Sequence, residues 1–479
     1  MPRLKQLFHS GFCITALACA ACATNPVTGE RQFTLVSESQ EIAMGQSAAA
    51  EVRQTIGLVD DADLQRYVST TGLALARASE RPKLPWSFQV VDDPTPNAFA
   101  LPGGFIFVTR GMLNLMDSQA ELASVLGHEI GHVTARHSVS AISRQQLAQL
   151  GLGLGGIFFP QVQPFGQAIG AGLQLLFLKH GRDAERQADR LAVQYAGRNY
   201  DVRETIDVFE SLGRAGDEQR SALPAWLSTH PAPAERIDAL REYIKTPGTQ
   251  SGSVVDREEY LGQIEGLVYG NNPRHGFFRD QVFYHPDLRF RLSLPPGWEG
   301  QNLPQAVQAI SPNRDAAIIL TLVPAASPVA AARQLAAQQN VRVLQSSAER
   351  INGLPSAVSL FDAATESGTV RGIVAHIELG GRVYELIGYA PFDRFSANGA
   401  AIERALNSFG PLTDRSVLAI EPRRIDIVTL RRSMTVAEFA REHGSAIPVE
   451  ELALINQVEG PNAVLAGGSQ VKRVVGPPA

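Results

Sequence analysis

The apolar positions in the first half of the chain mainly follow a helical period. From residue 37 to residue 79 they recur every three or four residues, which predicts helices. Two short apolar runs, 85–91 and 104–109, predict strands because Pro-rich and Gly-Gly turns flank them. The pattern therefore predicts a mainly helical domain with a small sheet over residues 39–246.

The pattern changes after a stretch rich in Pro, Gly and Ser. Residues 247–281 are predicted to be a linker and connector. Residues 282–415 alternate strand-like and helix-like segments, which predicts an α+β domain that binds or packs rather than catalyses. Residues 424–475 have the order strand, helix, helix, strand, which predicts a small βααβ module. The predicted fold class of the whole chain is α+β.

Composition and charge narrow the possible functions. The 479 residues are 44% hydrophobic and 19% charged, so the chain can bury several cores. The formal net charge of -5 leaves no basic excess to neutralise phosphates, which argues against a nucleic-acid partner. The three cysteines, Cys13, Cys19 and Cys22, all lie near the start. A metal bound in the body of the chain would therefore need nitrogen and oxygen ligands.

Residues 1–21 have the pattern of a secretory signal peptide. Arg3 and Lys5 precede an apolar run of about ten residues, which is half of what a membrane span needs. Small residues then lead into Cys22, so we predict a lipid anchor there, with ordinary signal cleavage as the alternative. The following residue is not aspartate, which favours a periplasmic location on the outer membrane. Residues 22–38 are predicted to be a linker.

The glycine-rich segment 150–178 contains no run long enough to cross a membrane, because Pro160 and Pro164 interrupt it. Membrane contact is therefore expected through the lipid anchor only. The segment connects the two helices that carry the motifs described next, and we predict that it forms a lid.

The first motif is His128-Glu129-x-x-His132, on a helix that Ser118 and Glu121 open with the spacing of a capping box. At helical geometry the two imidazoles project from one face, one turn apart, and can bind one zinc ion. Glu129 can then take a proton from water that the metal acidifies. The alternative is a helix with two hydrogen-bonded surface histidines.

The second motif can supply a third ligand. Glu185 and Asp189 share one helix face, and a stripe of small residues at 184, 188 and 192 would let this helix approach the first closely. We predict that Glu185 binds the metal and that Asp189 fixes the tautomer of a ligand histidine. The alternative is an ordinary salt-bridged helix, since arginines also recur at four-residue steps.

Four blocks together resemble one family. Residues 97–108, 128–137, 185–189 and 228–231, followed by Arg236, occur in the order seen in the zinc metallopeptidase family of the CAAX prenyl endopeptidases. The chain is most similar to its exported periplasmic branch, the beta-barrel-assembly-enhancing kind. The resemblance implies a gluzincin-type domain that holds one zinc ion.

The resemblance also implies roles for individual residues. The metal ligands would be His128, His132 and Glu185, with Glu129 as general base and then acid. Asp189 would support the histidines. His230 and Arg236 would face the metal, and His230 would hold a fourth coordination position in a resting state or stabilise the oxyanion. The segment 105–108 resembles the edge strand to which an extended peptide adds, whereas Arg136 and His137 are expected to make core and surface contacts.

The two C-terminal regions carry weaker resemblances. Residues 282–415 resemble the PsbP and Mog1 fold. Residues 424–475 resemble a LysM module, which binds peptidoglycan glycans, but Ser433-Met434-Thr435 replaces its usual Gly-Asp-Thr. We therefore expect a degenerate module with at most some peptidoglycan contact.

The expected function is that of an exported zinc metalloendopeptidase. Its substrates would be extended segments of misfolded or stalled outer-membrane or periplasmic proteins. The rival hypothesis is a chaperone or assembly factor for outer-membrane proteins with a normally latent peptidase site. A third is a peptidoglycan-anchored scaffold with structural zinc.

Overall fold

The computed structural model describes residues 22–152, 180–218, 225–230, 233–365 and 368–477. The predicted signal peptide lies outside these ranges, as does the predicted lid apart from its first three residues. The described residues form two compact units. One contains the residues up to Gly270 together with those from Arg423 onward, and the other is Asn271–Pro422.

The first unit mixes helices with a small sheet, as predicted. Its elements up to Gly270 are β1 (Cys22–Thr24), β2 (Arg31–Phe33), α1 (Glu38–Thr55), α2 (Ala62–Ala76), β3 (Ser87–Val91), β4 (Ala98–Leu101), β5 (Phe105–Thr109), α3 (Arg110–Leu115), α4 (Gln119–Thr134), α5 (His137–Leu152), α6 (Arg182–Ala196), α7 (Glu204–Glu218), α8 (Ala225–Thr229), α9 (Pro233–Ile244) and α10 (Arg257–Ile264).

Short polar side chains start the helices by accepting from otherwise unpaired backbone N–H groups. Ser37 and Gln40 form a complete capping box at α1. At α4, Ser118 Oγ accepts from Glu121 N at 3.1 Å, but the Glu121 carboxylate accepts from Asp117 N at 2.6 Å instead of returning to Ser118. The predicted capping box of α4 is therefore only half formed.

The small sheet has the strand order β3-β5-β4. β5 pairs in parallel with β3 and antiparallel with β4, and all five of its residues are buried. The prediction that 105–108 form an edge strand is therefore wrong, because a strand that is apolar on both faces favours the middle of a sheet. β4 pairs with β5 on one side, and no described strand pairs with its other side. β4 also packs against α4.

The close approach of α4 and α6 depends on small residues from both helices. A Cβ atom on Gly131 would lie 3.1 Å from Ala188 Cα, and one on Gly127 would lie 3.2 Å from Ala192 Cα. Ala188 and Ala192 are fully buried. These are two of the three positions in the predicted small-residue stripe, and they set the distance between the helices that carry the motifs.

Two segments predicted as linkers pack against other elements. Residues 22–38 and 247–270 belong to the first unit, and residues 271–281 belong to the second. In 22–38, β1 pairs with β2, and Leu35 N donates to Ser143 Oγ at 3.0 Å. In 247–281, α10 buries Tyr260, and the Tyr260 hydroxyl donates to Leu113 O at 2.7 Å. Polar composition did not indicate these contacts, because a few apolar residues are enough to anchor a short segment.

The second unit is built on antiparallel sheets. Its elements are β6 (Phe277–Arg279), β7 (Val282–His285), β8 (Phe290–Ser293), β9 (Glu299–Asn302), β10 (Ala306–Ile310), β11 (Ala317–Val323), α11 (Pro328–Ala336), β12 (Val341–Ile351), β13 (Leu354–Thr365), β14 (Gly368–Leu379), β15 (Arg382–Pro391), α12 (Phe395–Ser408), β16 (Gly410–Pro411) and α13 (Arg415–Leu418). A seven-stranded sheet has the order β12-β13-β14-β15-β11-β10-β9, and a four-stranded sheet has the order β16-β8-β7-β6.

The tail returns to the first unit. It contains β17 (Arg424–Thr429), β18 (Met434–Thr435), α14 (Val436–His443), α15 (Val449–Ile455), β19 (Val464–Leu465) and β20 (Gln470–Val475), with β17 paired to β20. The order of long elements matches the predicted βααβ pattern, while the LysM assignment stays a prediction. The tail is not a separate unit, because Phe439 and Leu452 share one apolar core with Leu113 and Leu126.

A buried lysine connects the tail to the start of α4. Lys472 is fully buried, and its Nζ donates to Met116 O at 2.8 Å and to Asn114 O at 3.1 Å. Asp117 Oδ1 lies 2.6 Å from the same Nζ. Burial lowers the pKa of Lys472, and the neighbouring Asp117 opposes that change. The tail therefore satisfies the carbonyl groups at the turn from which α4 begins.

Within the described ranges, no helix combines the length and the apolar composition that a membrane span requires.

We expect Lys472→Met to lower the free energy of unfolding of the first unit by about 2–4 kcal/mol, because it leaves two buried carbonyls without their donor and leaves Asp117 with Arg257 as its remaining cation. Urea unfolding followed by tryptophan fluorescence in a Trp298→Phe background reports this unit through Trp86 and Trp226. Lys245→Met is the control, since Lys245 forms an exposed ion pair with Glu242. Equal unfolding midpoints for both variants would contradict the contribution assigned to Lys472.

We expect Gly131→Val to destabilise the protein by about 1–3 kcal/mol and to weaken metal binding, because the added methyl groups push α6 away from α4. Gly213→Val in α7 is the matched control, since a Cβ atom there meets no described atom within 4 Å. Thermal unfolding without metal and a chelator competition measure the two effects separately. The packing argument fails if the Gly131→Val variant binds zinc as tightly as the Gly213→Val variant does.

Candidate metal centre

Two histidines of α4 form one side of the site. His128 and His132 are separated by one helical turn, and each residue is at most 1% exposed. Their Nε2 atoms lie 3.0 Å apart, as the spacing predicts. Apolar residues on the other faces of α4 fix its rotation in the core, so both rings face α6 rather than solvent.

Glu185 and His230 complete the group. Glu185 Oε2 lies 3.6 Å from His128 Nε2, and Glu185 Oε1 lies 3.6 Å from His132 Nε2. His230 Nδ1 lies 3.2 Å from His128 Nε2 and 3.0 Å from Glu185 Oε1. One ligand atom from each of these four buried residues lies within 4.8 Å of all the others, so the group could hold a metal ion.

The chemistry of the donors fits a divalent cation. Asp189 Oδ1 lies 2.9 Å from His128 Nδ1, and a carboxylate there favours the tautomer with the proton on Nδ1 and a free lone pair on Nε2. Burial and the neighbouring His180, His128 and His137 hold the pKa of His132 well below its usual value, so this ring is neutral, as a metal ligand must be. Two imidazoles and a carboxylate are a usual ligand set for catalytic zinc.

Arg236 balances the negative charge behind the ligands. Its Nη1 lies 3.0 Å from Glu185 Oε2, while its Nε and Nη2 donate to the two oxygens of Asp189 at 2.9 and 2.6 Å. Burial alone would raise the pKa of Glu185, but His230, His128 and Arg236 outweigh it and bring that pKa to about 2. Burial acts on Asp189 in the same direction, and Arg236 outweighs it to lower that pKa as well. Both carboxylates are therefore ionised.

Glu129 stands beside the group without belonging to it. It is buried, and its Oε1 has no hydrogen-bond partner among the described residues. The nearest ring nitrogen is His230 Nε2, 3.7 Å from that oxygen, beyond hydrogen-bonding distance. A buried carboxylate oxygen without a partner is costly, so this arrangement suits a group that accepts a proton from a molecule in the site.

Three further contacts that the motifs did not identify surround the group. The Trp226 ring stacks on His230 with 4.9 Å between centroids, and it also lies 4.9 Å from the guanidinium of Arg236. His180 stacks on His132 with 4.1 Å between centroids. Burial and the nearby His230 lower the pKa of His180 to about 3, so it is neutral. Aromatic residues have no fixed spacing from a motif, and the sequence offered no signal for them.

His137 is not one of the grouped ligands, in line with its expected contact role. Its Nδ1 lies 2.9 Å from His132 Nδ1, and its Nε2 lies 3.0 Å from Gln187 Oε1.

Opposing effects act on the pKa of the His230 ring. Burial lowers its pKa, but Glu185 and Glu129 outweigh burial and raise it.

Comparison with known proteins shows what this domain is similar to. Residues 62–244 match the family model of Peptidase family M48. The Beta-barrel assembly-enhancing protease of Yersinia pestis is 32% identical over 227 residues, 45% of this chain and 46% of that protein. The Mitochondrial metalloendopeptidase OMA1 of Schizosaccharomyces pombe is 32% identical over 234 residues, 46% of this chain and 65% of that protein.

The matched region is therefore similar to proteases and metalloendopeptidases. The chain covers less than two-thirds of the length of either relative. Among solved structures, cyanobacterial PsbP (CyanoP) from Synechocystis sp. PCC 6803 is 11% identical with a TM-score of 0.24, and the match covers 27% of this chain and 91% of that one. The predicted PsbP and Mog1 likeness of residues 282–415 stays a prediction.

We expect Glu185→Ala to weaken zinc binding by at least roughly 100-fold, because it removes the only carboxylate of the group. Zinc content after dialysis and competition with a chromophoric chelator measure the change. Asp183→Ala is the control, since Asp183 lies in the first turn of the same helix with a side chain that is 99% exposed. Zinc stoichiometry that is the same in both variants would exclude Glu185 as a ligand.

Proposed function

We propose that the chain is an exported, zinc-dependent metalloendopeptidase that hydrolyses extended segments of misfolded or stalled envelope proteins. The observation that carries this proposal is the buried convergence of His128, His132 and Glu185 beside the unpaired oxygen of Glu129. The first three would hold the zinc ion, and the fourth would handle the proton.

The chemistry divides between the metal and the side chains. Bound zinc would act as a Lewis acid that polarises the scissile carbonyl. It would also lower the pKa of water, so that the water can lose a proton and attack at neutral pH. Glu129 would take the proton from the attacking water and deliver it to the leaving amine nitrogen. Asp189 and Arg236 would keep the ligands in position from behind, since Arg236 touches both Glu185 and Asp189.

His230 can serve in two ways. Its Nδ1 is within 3.2 Å of His128 Nε2, so it can complete the ligand set in a resting state. Its Nε2 faces the side of Glu129, 3.7 Å from Oε1, where a donor could stabilise the oxyanion of the tetrahedral intermediate. The first role supports the rival hypothesis of a latent site, because a fourth protein ligand would block the position that the substrate needs.

The substrate would lie along β4 rather than β5. β4 is an outer strand of the small sheet, and it packs against the helix that carries both histidines. An extended peptide could add to its open side by main-chain hydrogen bonds, which recognise polypeptide backbone without demanding a particular sequence.

We place this activity in the periplasm, with a lipid anchor at Cys22 on the outer membrane. The signal-like pattern of residues 1–21 supports export. Because β1 begins at Cys22, an acylated Cys22 would hold the peptidase unit close to the membrane surface. The similarity to the Beta-barrel assembly-enhancing protease of Yersinia pestis supports substrates or partners in β-barrel assembly. Peptidoglycan contact through residues 424–475 stays a prediction.

We expect Glu129→Gln to lower the turnover of unfolded casein by roughly 100- to 10,000-fold while zinc remains bound, because glutamine cannot accept the proton. A chelator should abolish the cleavage by the wild-type protein. Glu258→Gln, on the exposed side of α10, is the control.

The same variant separates the rival hypotheses. A chaperone or assembly factor would keep its effect on outer-membrane protein assembly when Glu129 is replaced by glutamine. A scaffold with structural zinc would show no chelator-sensitive cleavage in the wild-type protein. Retention of full turnover by the Glu129→Gln variant would remove Glu129 from the mechanism.

A further inference from the structure

The two ligand histidines have different neighbours at their Nδ1 atoms. His128 Nδ1 faces a carboxylate, Asp189 Oδ1, at 2.9 Å. His132 Nδ1 faces another imidazole instead, His137 Nδ1, also at 2.9 Å. The far side of that imidazole, His137 Nε2, lies 3.0 Å from Gln187 Oε1. Both His132 and His137 are buried.

The position of each proton follows from the last group in the series. Gln187 Oε1 can only accept, so His137 Nε2 carries a proton and donates it. Neutral His137 then has its lone pair on Nδ1, which accepts from His132 Nδ1–H. His132 is left with a free lone pair on Nε2, the atom that faces Glu185 and His128. A side-chain amide thus fixes the tautomer that metal binding requires, two side chains away.

The backbone is shaped to make this contact. α4 ends at Thr134, and Arg136 adopts a left-handed conformation with φ 59°, which turns the chain so that α5 begins at His137. Arg136 is held there by its Nε donating to Glu41 Oε2 at 3.0 Å and by its Nη2 donating to Val36 O at 3.0 Å. A left-handed conformation is uncommon for arginine and needs such support.

We propose that His137 is a positioning residue for the metal site and that Gln187 sets its tautomer. The inference rests on the proposed zinc site and adds to it a neutral relay from Gln187 through His137 to His132. α6 then supports both ligand histidines, directly through Asp189 for His128 and indirectly through Gln187 for His132. The relay from Gln187 through His137 carries no charge. It therefore orients His132 without adding another anion to a site that already contains Glu129, Glu185 and Asp189.

Paired variants test the relay at each link. Gln187→Met removes the acceptor at similar size, whereas Gln187→Glu keeps an acceptor at the same place. His137→Leu removes the link, whereas His137→Asn can place its amide oxygen near the position of Nδ1. Gln187 is only half-buried, so its variants leave the core intact even if a His137 variant folds poorly.

The measurement is the affinity of the full-length metal-free protein for Zn²⁺ in competition with a chelator, together with the visible absorption of the Co²⁺-substituted protein. We expect Gln187→Met and His137→Leu to bind Zn²⁺ about 10- to 100-fold more weakly, with altered Co²⁺ spectra. Gln187→Glu and His137→Asn should keep most of the affinity. Thermal unfolding of the metal-free proteins should be the same for Gln187→Met and Gln187→Glu.

The possible results distinguish an error in the relay from an error in the proposed zinc site. Equal Zn²⁺ affinity in the wild type and in Gln187→Met and His137→Leu would overturn the relay and leave the zinc site standing. A loss that is equally large in Gln187→Met and Gln187→Glu would also overturn it, since the acceptor would then have no special role. A wild-type protein that binds no Zn²⁺ would overturn the proposed function itself.

Discussion

The structure depends on holding mutually repelling ligand atoms close together inside the protein. Two imidazole nitrogens, a third ring nitrogen and a carboxylate converge within 4.8 Å, and all four residues are buried. Unpaired lone pairs and charges in a low-dielectric interior are costly unless a cation or hydrogen bonds compensate them. Arg236 is the fixed part of that compensation, because it contacts Glu185 and Asp189 at once. A divalent cation would supply the remainder.

Such a site requires that α4 cannot shift along its axis. At its C-terminal end, Arg81 Nη1 donates to Val133 O at 3.0 Å, and the same nitrogen contacts Glu41 at 2.8 Å. At its N-terminal end, the hydroxyl of the cap residue Ser118 donates to Glu204 at 2.7 Å, and Lys472 occupies the preceding turn. A metal site tolerates ligand displacements of only about half an ångström. The buried charges at the two ends of α4 limit those displacements.

The sequence predicted the contacts that a single helix or a short motif defines. The spacing of His128 and His132, and that of Glu185 and Asp189, is enough to place each pair on one face. The small-residue stripe on α6 predicted the close approach, and Gly127 and Gly131 on α4 are its counterpart. These features are local, so periodicity alone could find them.

The missed features depend on partners that are distant in sequence. Gln187 acts on His132 through His137, and no spacing rule connects an amide to a ring 50 positions earlier. Trp226 was missed for the same reason. The resemblance implies a sheet-edge position for the strand at 105–108, although its uninterrupted apolar residues favour the middle of the sheet. The contacts made by the predicted linkers were also missed, because a polar segment can still contain a buried anchor such as Tyr260.

The tail has the pattern of a separate module, but its polar contacts connect it to the start of the helix that carries both ligand histidines. An independent module would place an apolar residue at the inward position of β20, where Lys472 instead reaches the carbonyls before α4. Gln457 adds to this contact, since its Nε2 donates to Leu115 O at 3.1 Å and to Glu121 Oε2 at 2.9 Å. Coupling between two sites is reciprocal, so whatever free energy the docked tail contributes to the geometry of α4, bound metal must return to the docking of the tail. Loss of the metal would therefore loosen the tail, and loosening of the tail would weaken the metal site.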